Sequence, residues 1–313
     1  MIEQYNQIVH EVKPIRDDAW TTRRLLEWIE RHLERQGVHN PTLVARMLLV
    51  HVVGGTDIDL YTDPERPATE SERDQLRSLV SRAASHEPVQ HLVGKADFFG
   101  RTFKVDGSTL IPRTATESLV QIVLDWHRGR SGISGERPDL RIADIGTGSG
   151  CIAITLARQI PGSTVVATDI VGGALELARA NASDHEVKER VEFRAGSLLE
   201  PLQAGEMFDV ISANLPYIPD TDWSGLDANV REHEPETALR GGADGLDLIR
   251  PLVMEVEPHM APGGLLVLEI DPSHSLSVLE MVQKLKSVET AAIERDEFRD
   301  ERLLKAIFSP SSS

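Results

Sequence analysis

Asp144-Ile145-Gly146-Thr147-Gly148-Ser149-Gly150 follows the short apolar run Ile142-Ala143 and precedes the helical pattern from Ile152 to Gln159. Strand, glycine-rich turn and helix in that order form the opening unit of a parallel sheet with helical crossovers. The alternation continues downstream. Val165-Val166-Ala167, Val191-Glu192-Phe193, Phe208 to Ala213 and Leu265 to Ile270 read as further strands, and Ala174 to Asn181 as another crossover helix. Such a pattern predicts an α/β fold whose mostly parallel sheet is covered on both faces, with ligands at the carboxyl ends of its strands. Val288 to Ile293 and Leu303 to Ile307 predict a final antiparallel pair, before a fraying tail from Ser309 to Ser313.

Upstream the period changes. Leu25, Leu26, Ile29 and Leu33 recur at helical spacing, with charged residues between them. A second helix opens at Asn40-Pro41, where Asn can cap, and stops at Gly54-Gly55; a third passes through Leu76, Leu79 and Val80. Phe98-Phe99-Gly100 and Phe103-Lys104-Val105 flank a short turn and resemble a hairpin. Another helix carries Leu119, Val120, Ile122, Val123 and Trp126, and a polar loop from Gly129 to Pro138 leads to the sheet. The expected organisation is a helical domain over 1–86, a connecting hairpin over 87–110 and a sheet domain over 111–313.

The 313 residues suffice for two domains. With 33 basic and 50 acidic residues the formal charge is −17, which disfavours long phosphate backbones as partners. Cys151 is the only cysteine, so no intramolecular disulfide forms, and its place after the glycine turn reads as a small apolar helix residue rather than a nucleophile. Met1-Ile2-Glu3-Gln4 does not read as a signal peptide, and the apolar stretch from Leu43 to Val53 is too short to span a bilayer. A cytoplasmic monomer with no membrane association is expected. His91 and His233 lack companion ligands for a metal, and turn or core roles suit them better.

The glycines at 146, 148 and 150 let the backbone approach a ligand, and the following helix offers unpaired amide hydrogens. Asp169 ends the next strand, where a carboxylate can accept from both hydroxyls of a ribose. Both features also fit a dinucleotide fold. That fingerprint, however, would put its third glycine at Cys151. The alternating glycines, with Thr147 and Ser149 between them and Asp144 ahead, favour S-adenosylmethionine, whose cationic end the Asp144 carboxylate can face. Ser197-Leu198 follows the strand at 191–195, at the expected adenine edge or in a plain surface turn.

Asn214-Leu215-Pro216-Tyr217 stands directly after the strand at 208–213. An amide nitrogen is a poor nucleophile, because its lone pair is delocalised into the carbonyl. Methylating it requires exact placement, with acceptors for its two hydrogens. Asn214 supplies a side-chain carbonyl, within reach of cofactor and acceptor alike, and the backbone carbonyl of Leu215 supplies a second. Pro216 restricts Leu215 to extended conformations, and Tyr217 can pack over a planar amide. The sequence therefore points to direct methyl transfer to a planar nitrogen; an ordinary polar turn is the plainer alternative.

The chain resembles the HemK/PrmC family, protein-glutamine methyltransferases that modify peptide chain release factors. The likeness covers nearly all of it. It rests on Glu87 through Gly94, Phe98-Phe99-Gly100, Ile111-Pro112-Arg113, Asp144 through Gly150, Asn181-Ala182, His233-Glu234-Pro235, Ala238-Leu239, Gly241 through Leu246 and Leu268-Glu269-Ile270. The resemblance implies a Rossmann-like class I S-adenosylmethionine-dependent methyltransferase with an amino-terminal helical domain and connecting hairpin. It also implies that Asn214 and the Leu215 carbonyl hold the glutamine of a Gly-Gly-Gln motif, that Tyr217 lines the pocket, and that the amino-terminal helices either dock the release factor or only support the sheet. Five positions depart from the family pattern. Leu215 replaces a proline, Thr114-Ala115 replaces Pro-Glu, Ser197 replaces an acidic residue and Asp271 replaces a glycine. A glutamine of another protein remains an alternative target, as does the exocyclic amine of adenine in nucleic acid, against which the acidic balance speaks.

Overall fold

The computed structural model describes residues 20–130 and 139–310. The opening Met1-Ile2-Glu3-Gln4, most of the expected 129–138 loop and the last three serines lie outside the described residues. The chain divides into two compact units, Met1–Val93 and Gly94–Ser313.

In the first unit the helical spacing becomes α1 (Thr22–Arg35), α2 (Pro41–Val53), a single turn α3 (Asp59–Thr62), α4 (Glu70–Ala84) and α5 (Val89–Val93). Leu25, Ile29, Leu33, Leu48, Leu49, Leu76 and Val80 form its core. Val89 and Leu92 belong to the same cluster, which is why the unit ends at Val93 rather than at the expected residue 86. Asn40 does not cap α2 as expected: it takes a left-handed φ of 51° and makes no side-chain cap bond. Capping is done instead by Thr21 on α1, and by Thr69 on α4 in a reciprocal pair with Glu72.

The second unit opens with the hairpin β1 (Lys95–Phe98) and β2 (Arg101–Lys104). Phe99 and Gly100 form its turn, with φ of 50° and 69°. Phe98 and Phe103 pack into the core beneath the sheet, so the hairpin is part of this unit and not a separate connector. Next come α6 (Thr114–Gly129), β3 (Arg141–Ile145), α7 (Cys151–Gln159), β4 (Thr164–Asp169), α8 (Gly172–Asp184), β5 (Val191–Ala195) and β6 (Phe208–Asn214). After them run α9 (Ala228–His233), α10 (Ile249–Glu255), β7 (Met260–Glu269), α11 (Ser275–Gln283), β8 (Val288–Arg295) and β9 (Glu301–Phe308).

The seven strands lie in the order β5-β4-β3-β6-β7-β9-β8. β3 to β7 are parallel, while β9 runs antiparallel to both β7 and β8. Alternate residues feed two cores: Ile142, Val210 and Val267 meet α6 and α7 on one face, and Ala143, Ile211 and Leu268 meet α10 and α11 on the other. Near-continuous apolar strands are what such double cover requires. The winding reverses between β3 and β6, so the turns leaving those two strands open side by side.

Candidate active site

The turn after β3 is anchored from several directions. Gly146 and Thr147 donate backbone hydrogens to the Thr168 carbonyl of β4, each at 2.9 Å. Gly146, Gly148 and Gly150 have φ of 72°, 56° and 80°, a region that favours glycine. At Gly146 the demand is also steric, because a Cβ there would lie 2.9 Å from Leu215 Cδ2. Thr147 and Ser149, between the glycines, are buried.

Asp144 is fully buried under this turn, not in a cleft wall beside the cationic end of a cofactor as the sequence suggested. Its oxygens accept from Thr147 Oγ1 at 2.7 Å and from Ser212 Oγ on β6 at 2.9 Å. The Ala153 amide in the first turn of α7 donates to it as well. Burial raises its pKa to about 6, against the pull of the hydroxyl donors. Asp144 therefore ties β3, β6 and α7 together. Cys151 beside it is buried, and burial pushes its thiol up to about 12, far from nucleophilic character.

Above the turn lies a cleft of about 750 Å³ whose wall includes Gly146, Gly148, Asp169, Ser197, Leu198, Asn214, Leu215 and Pro216. Thr147, Ser149, Gly150 and Asp144 do not line it. Asp169 is fixed in the wall by two backbone donors, Gly148 to Oδ2 at 2.8 Å and Val171 to Oδ1 at 2.9 Å. Each oxygen retains a lone pair for a ligand hydroxyl. Leu198 takes a φ of 47°, and its carbonyl accepts from Thr168 Oγ1 at 3.2 Å. The cleft has a further edge that the sequence reading missed, Ser108-Thr109-Leu110. No periodicity marks that segment; its one local signal is Asp106, whose Oδ1 accepts from the Ser108 amide and hydroxyl.

Asn214, Leu215 and Pro216 also line a second cavity of about 480 Å³, together with Arg113, Tyr217, Ile218 and Val230. With Leu110 and Ala238, which also line both, these residues form the wall shared by the two spaces. Leu215 is buried, with its side chain against Gly146. The Asn214 Nδ2 donates to Thr116 Oγ1 at 3.2 Å. Tyr217 donates its hydroxyl hydrogen to Glu269 Oε1 at 3.4 Å and accepts from Arg302 at 3.3 Å, and burial pushes its phenol up to about 12. The chain beyond Tyr217 is pinned by Ile218 donating to Leu239 and Asp220 donating to Gly242. Gly245 fits under it because a Cβ there would meet the Tyr217 carbonyl at 2.5 Å. Glu234, buried in the second cavity's surroundings, accepts from the Ile111 amide at 3.1 Å and pairs with Arg113. Thr116, Glu234, Glu269 and Arg302 thus belong to the site although composition and spacing gave them no role.

The cleft fits S-adenosylmethionine on three structural grounds. The two left-handed glycines leave a cradle that side chains would fill. Asp169 presents a fixed carboxylate at a strand end. Thr109, buried in the wall, has a hydroxyl with no partner among the described residues. Among those residues no group of three or more His, Cys, Asp or Glu could hold a metal ion.

Sheet order, glycine turn and cleft define a class I S-adenosylmethionine-dependent methyltransferase. Residues 24–94 match the PrmC N-terminal domain and residues 142–233 a methyltransferase domain. A release factor glutamine methyltransferase of Geobacter sulfurreducens is 39% identical over 85% of this chain and 90% of its own. One from Rhodopirellula baltica is 37% identical over 82% of this chain and 86% of its own. Among solved structures, the hMettl16 catalytic domain in complex with the MAT2A 3'UTR hairpin 6 superimposes with a TM-score of 0.52, at 14% identity, over 78% of this chain and 84% of that one; this likeness is one of fold. The chain belongs to the release factor glutamine methyltransferase family.

Proposed function

We propose that this protein transfers a methyl group from S-adenosylmethionine to the side-chain amide nitrogen of the glutamine in the Gly-Gly-Gln motif of a peptide chain release factor. The observation that carries the reading is the shared wall: Asn214, Leu215 and Pro216 line both the cleft that holds Asp169 and a second, adjoining cavity. Family membership supplies the substrate class.

Asp169 would hold the ribose, Ser197 and Leu198 the adenine, and Gly146 and Gly148 would let the backbone approach the amino-acid portion, while Asp144, Thr147, Ser149 and Gly150 hold the turn from beneath. When bound, the cofactor supplies a methyl carbon made electrophilic by its sulfonium. The protein's own residues place the nitrogen. Asn214 Oδ1 and the Leu215 carbonyl accept the two amide hydrogens, which keeps the nitrogen planar and directs it at the cleft. Neither acceptor is basic, so neither competes for the methyl group. Pro216 restrains the Leu215 carbonyl, and Tyr217 covers the amide plane from a hydroxyl anchored on both sides. The departing proton passes to water, with no covalent enzyme intermediate.

The enzyme is proposed to work as a cytoplasmic monomer, in the company of the translation apparatus. No helix among the described residues is long and apolar enough to cross a membrane. Incubation with labelled S-adenosylmethionine, a release factor and its Gln-to-Ala tip variant, followed by peptide mass spectrometry, tests the assignment. Label on the glutamine side chain, absent from the variant, is the expected result. Label on another glutamine or on nucleic acid would replace the substrate, and binding without transfer would remove the activity.

A further inference from the structure

We infer that Arg113 is a substrate-binding residue that holds the main chain of the target peptide at the second cavity, and that Glu234 positions its guanidinium for that contact. The inference rests on the function proposed above and names the group that recognises the peptide as distinct from its carboxamide.

Among the described residues that line the second cavity, Arg113 alone carries a charge. Leu110, Ile218, Val230 and Leu239 make most of the remaining wall apolar, which suits the methylenes of an extended side chain. A donor-rich cation in such a wall needs acceptors to replace the water it loses. One is in place. Glu234 accepts from Arg113 Nη2 on one carboxylate oxygen and from the Ile111 amide on the other, the second bond at 3.1 Å. Ile111 and Arg113 stand just ahead of α6, and Glu234 just past α9, so this carboxylate ties two separate segments together and fixes where the guanidinium stands.

The pair is asymmetric. The Glu234 side chain is 1% exposed and that of Arg113 39%. A guanidinium has five N–H donors in a rigid fork, and Glu234 takes one of them. No other acceptor bonds it among the described residues. Arg113 is therefore held from behind and keeps donors for a ligand in front.

A Gly-Gly-Gln tripeptide offers two kinds of acceptor, the carboxamide oxygen and the main-chain carbonyls, because glycine has no side chain. The carboxamide oxygen is the wrong target. Its nitrogen gains positive charge as the methyl group arrives, and a cation on the oxygen of the same conjugated group would oppose that charge and draw density from the attacking lone pair. A main-chain carbonyl is insulated from the reacting group by the methylenes of the glutamine side chain. Arg113 thus serves the main chain, while Asn214 and the Leu215 carbonyl serve the carboxamide. Such a contact is equal before and during transfer, so it lowers KM and leaves kcat alone.

The test compares wild type, Arg113→Met, Glu234→Gln and the Arg113→Met/Glu234→Gln double variant. It measures kcat and KM on a release factor, S-adenosylmethionine affinity by calorimetry, and binding of the native release factor and its Gln-to-Ala tip variant to enzyme loaded with S-adenosylhomocysteine. Arg113→Met keeps the length of the stem and removes every donor. It should raise KM by roughly 10- to 100-fold, the range for one hydrogen bond to a charged group, with kcat within about threefold and cofactor affinity within about twofold. Binding of the native and alanine-tipped release factors should weaken by the same factor, since both present the main chain. Glu234→Gln should raise KM in the same sense by less. A wall that merely collapses would instead lower kcat and cofactor affinity, because Leu110 and Asn214 line both spaces. An unchanged KM in Arg113→Met, a loss carried by kcat, or a binding loss that vanishes with the alanine tip would overturn the assignment. Should Arg113→Met prove unstable with Glu234 left unpaired, the double variant removes both charges and decides by the same readings. Absence of label on the release factor with the wild type would remove the proposed function itself, so the two failures are distinguishable.

Discussion

The Asp144 carboxylate has no exposed surface and a pKa raised to about 6, against 3.8 for an ordinary aspartate. Between those two values the folded protein keeps a proton that the unfolded chain has released. The stability from this group is therefore complete below about pH 4 and is lost as pH rises through 6, by about 3 kcal/mol in all. Asp144→Asn has no such titration, so urea unfolding should show the variant gaining on the wild type by about that amount between pH 4 and pH 7.5. A pH-independent difference would mean that the carboxylate is not buried as charge. Gly146 supports a second prediction. An alanine there must hold a φ of 72° and displace Leu215 Cδ2 from 2.9 Å. Left-handed backbone alone costs about 1–2 kcal/mol. Gly146→Ala should weaken cofactor binding and turnover together, unlike Asn214→Ala, which should remove most turnover and leave affinity; calorimetry paired with turnover separates the two patterns. At this scale the glycine pattern and the strand-end Asn214 were legible, because each is written in consecutive residues. The burial of Thr147 and Ser149 was not, since Thr147 pairs with Thr168 of β4 and the Ser149 carbonyl accepts from Asn181 of α8, and the partners of Asn214 and Tyr217 come from α6, β7 and β9, distant along the chain.

Elements were legible where one physical signal dominated. The apolar runs of β3 to β7 stand out because both faces are covered, and α1 because its buried stripe repeats at helical spacing. Asn40 and the hairpin turn were misread, since Asn serves left-handed turns as readily as caps, and Phe99-Gly100 looks like strand sequence until both residues take positive φ. Strand order was equally hidden, and with it the ion cluster that fastens neighbouring elements. Glu206, just ahead of β6, pairs with Arg194 of β5 at 2.7 Å and with Arg141 of β3 at 2.5 Å. The Arg194 hydrogen bonds hold its carboxyl at about 2, below the ordinary 4.5. The sign is opposite to that of Asp144: the stabilisation is present above about pH 4.5 and is lost as pH falls toward 2. Glu206→Gln should cost about 2 kcal/mol at pH 7, as expected for charge-assisted bonds with little exposure, and the deficit should shrink in acid. Chemical denaturation across pH 3–7 checks this, and a constant deficit would assign the loss to packing.

At the scale of the molecule the sequence foretold a helical part and a sheet part, and the two units that form have separate cores. The sheet unit contains every residue of the cleft and of the second cavity. A fragment spanning 94–313 keeps the hairpin, whose Phe98 and Phe103 fill the core under β3, and loses none of the bonds that shape the glycine turn. It should fold and bind S-adenosylmethionine within about threefold of the full chain, because additivity holds for remote, independent parts. Protein methylation is a different matter. Contacts distant from a reacting nitrogen can raise kcat by lowering the entropy of alignment, and a folded release factor is large enough to make them. If the helices provide such contacts, the fragment should lose at least about tenfold in kcat/KM on the release factor while matching the full chain on a short Gly-Gly-Gln peptide, which cannot reach them. Equal losses on protein and peptide, or a fragment that cannot bind cofactor, would make the helices a support for the sheet rather than a docking surface. Steady-state methylation of both substrates by both proteins separates these outcomes, since only docking makes the size of the substrate matter.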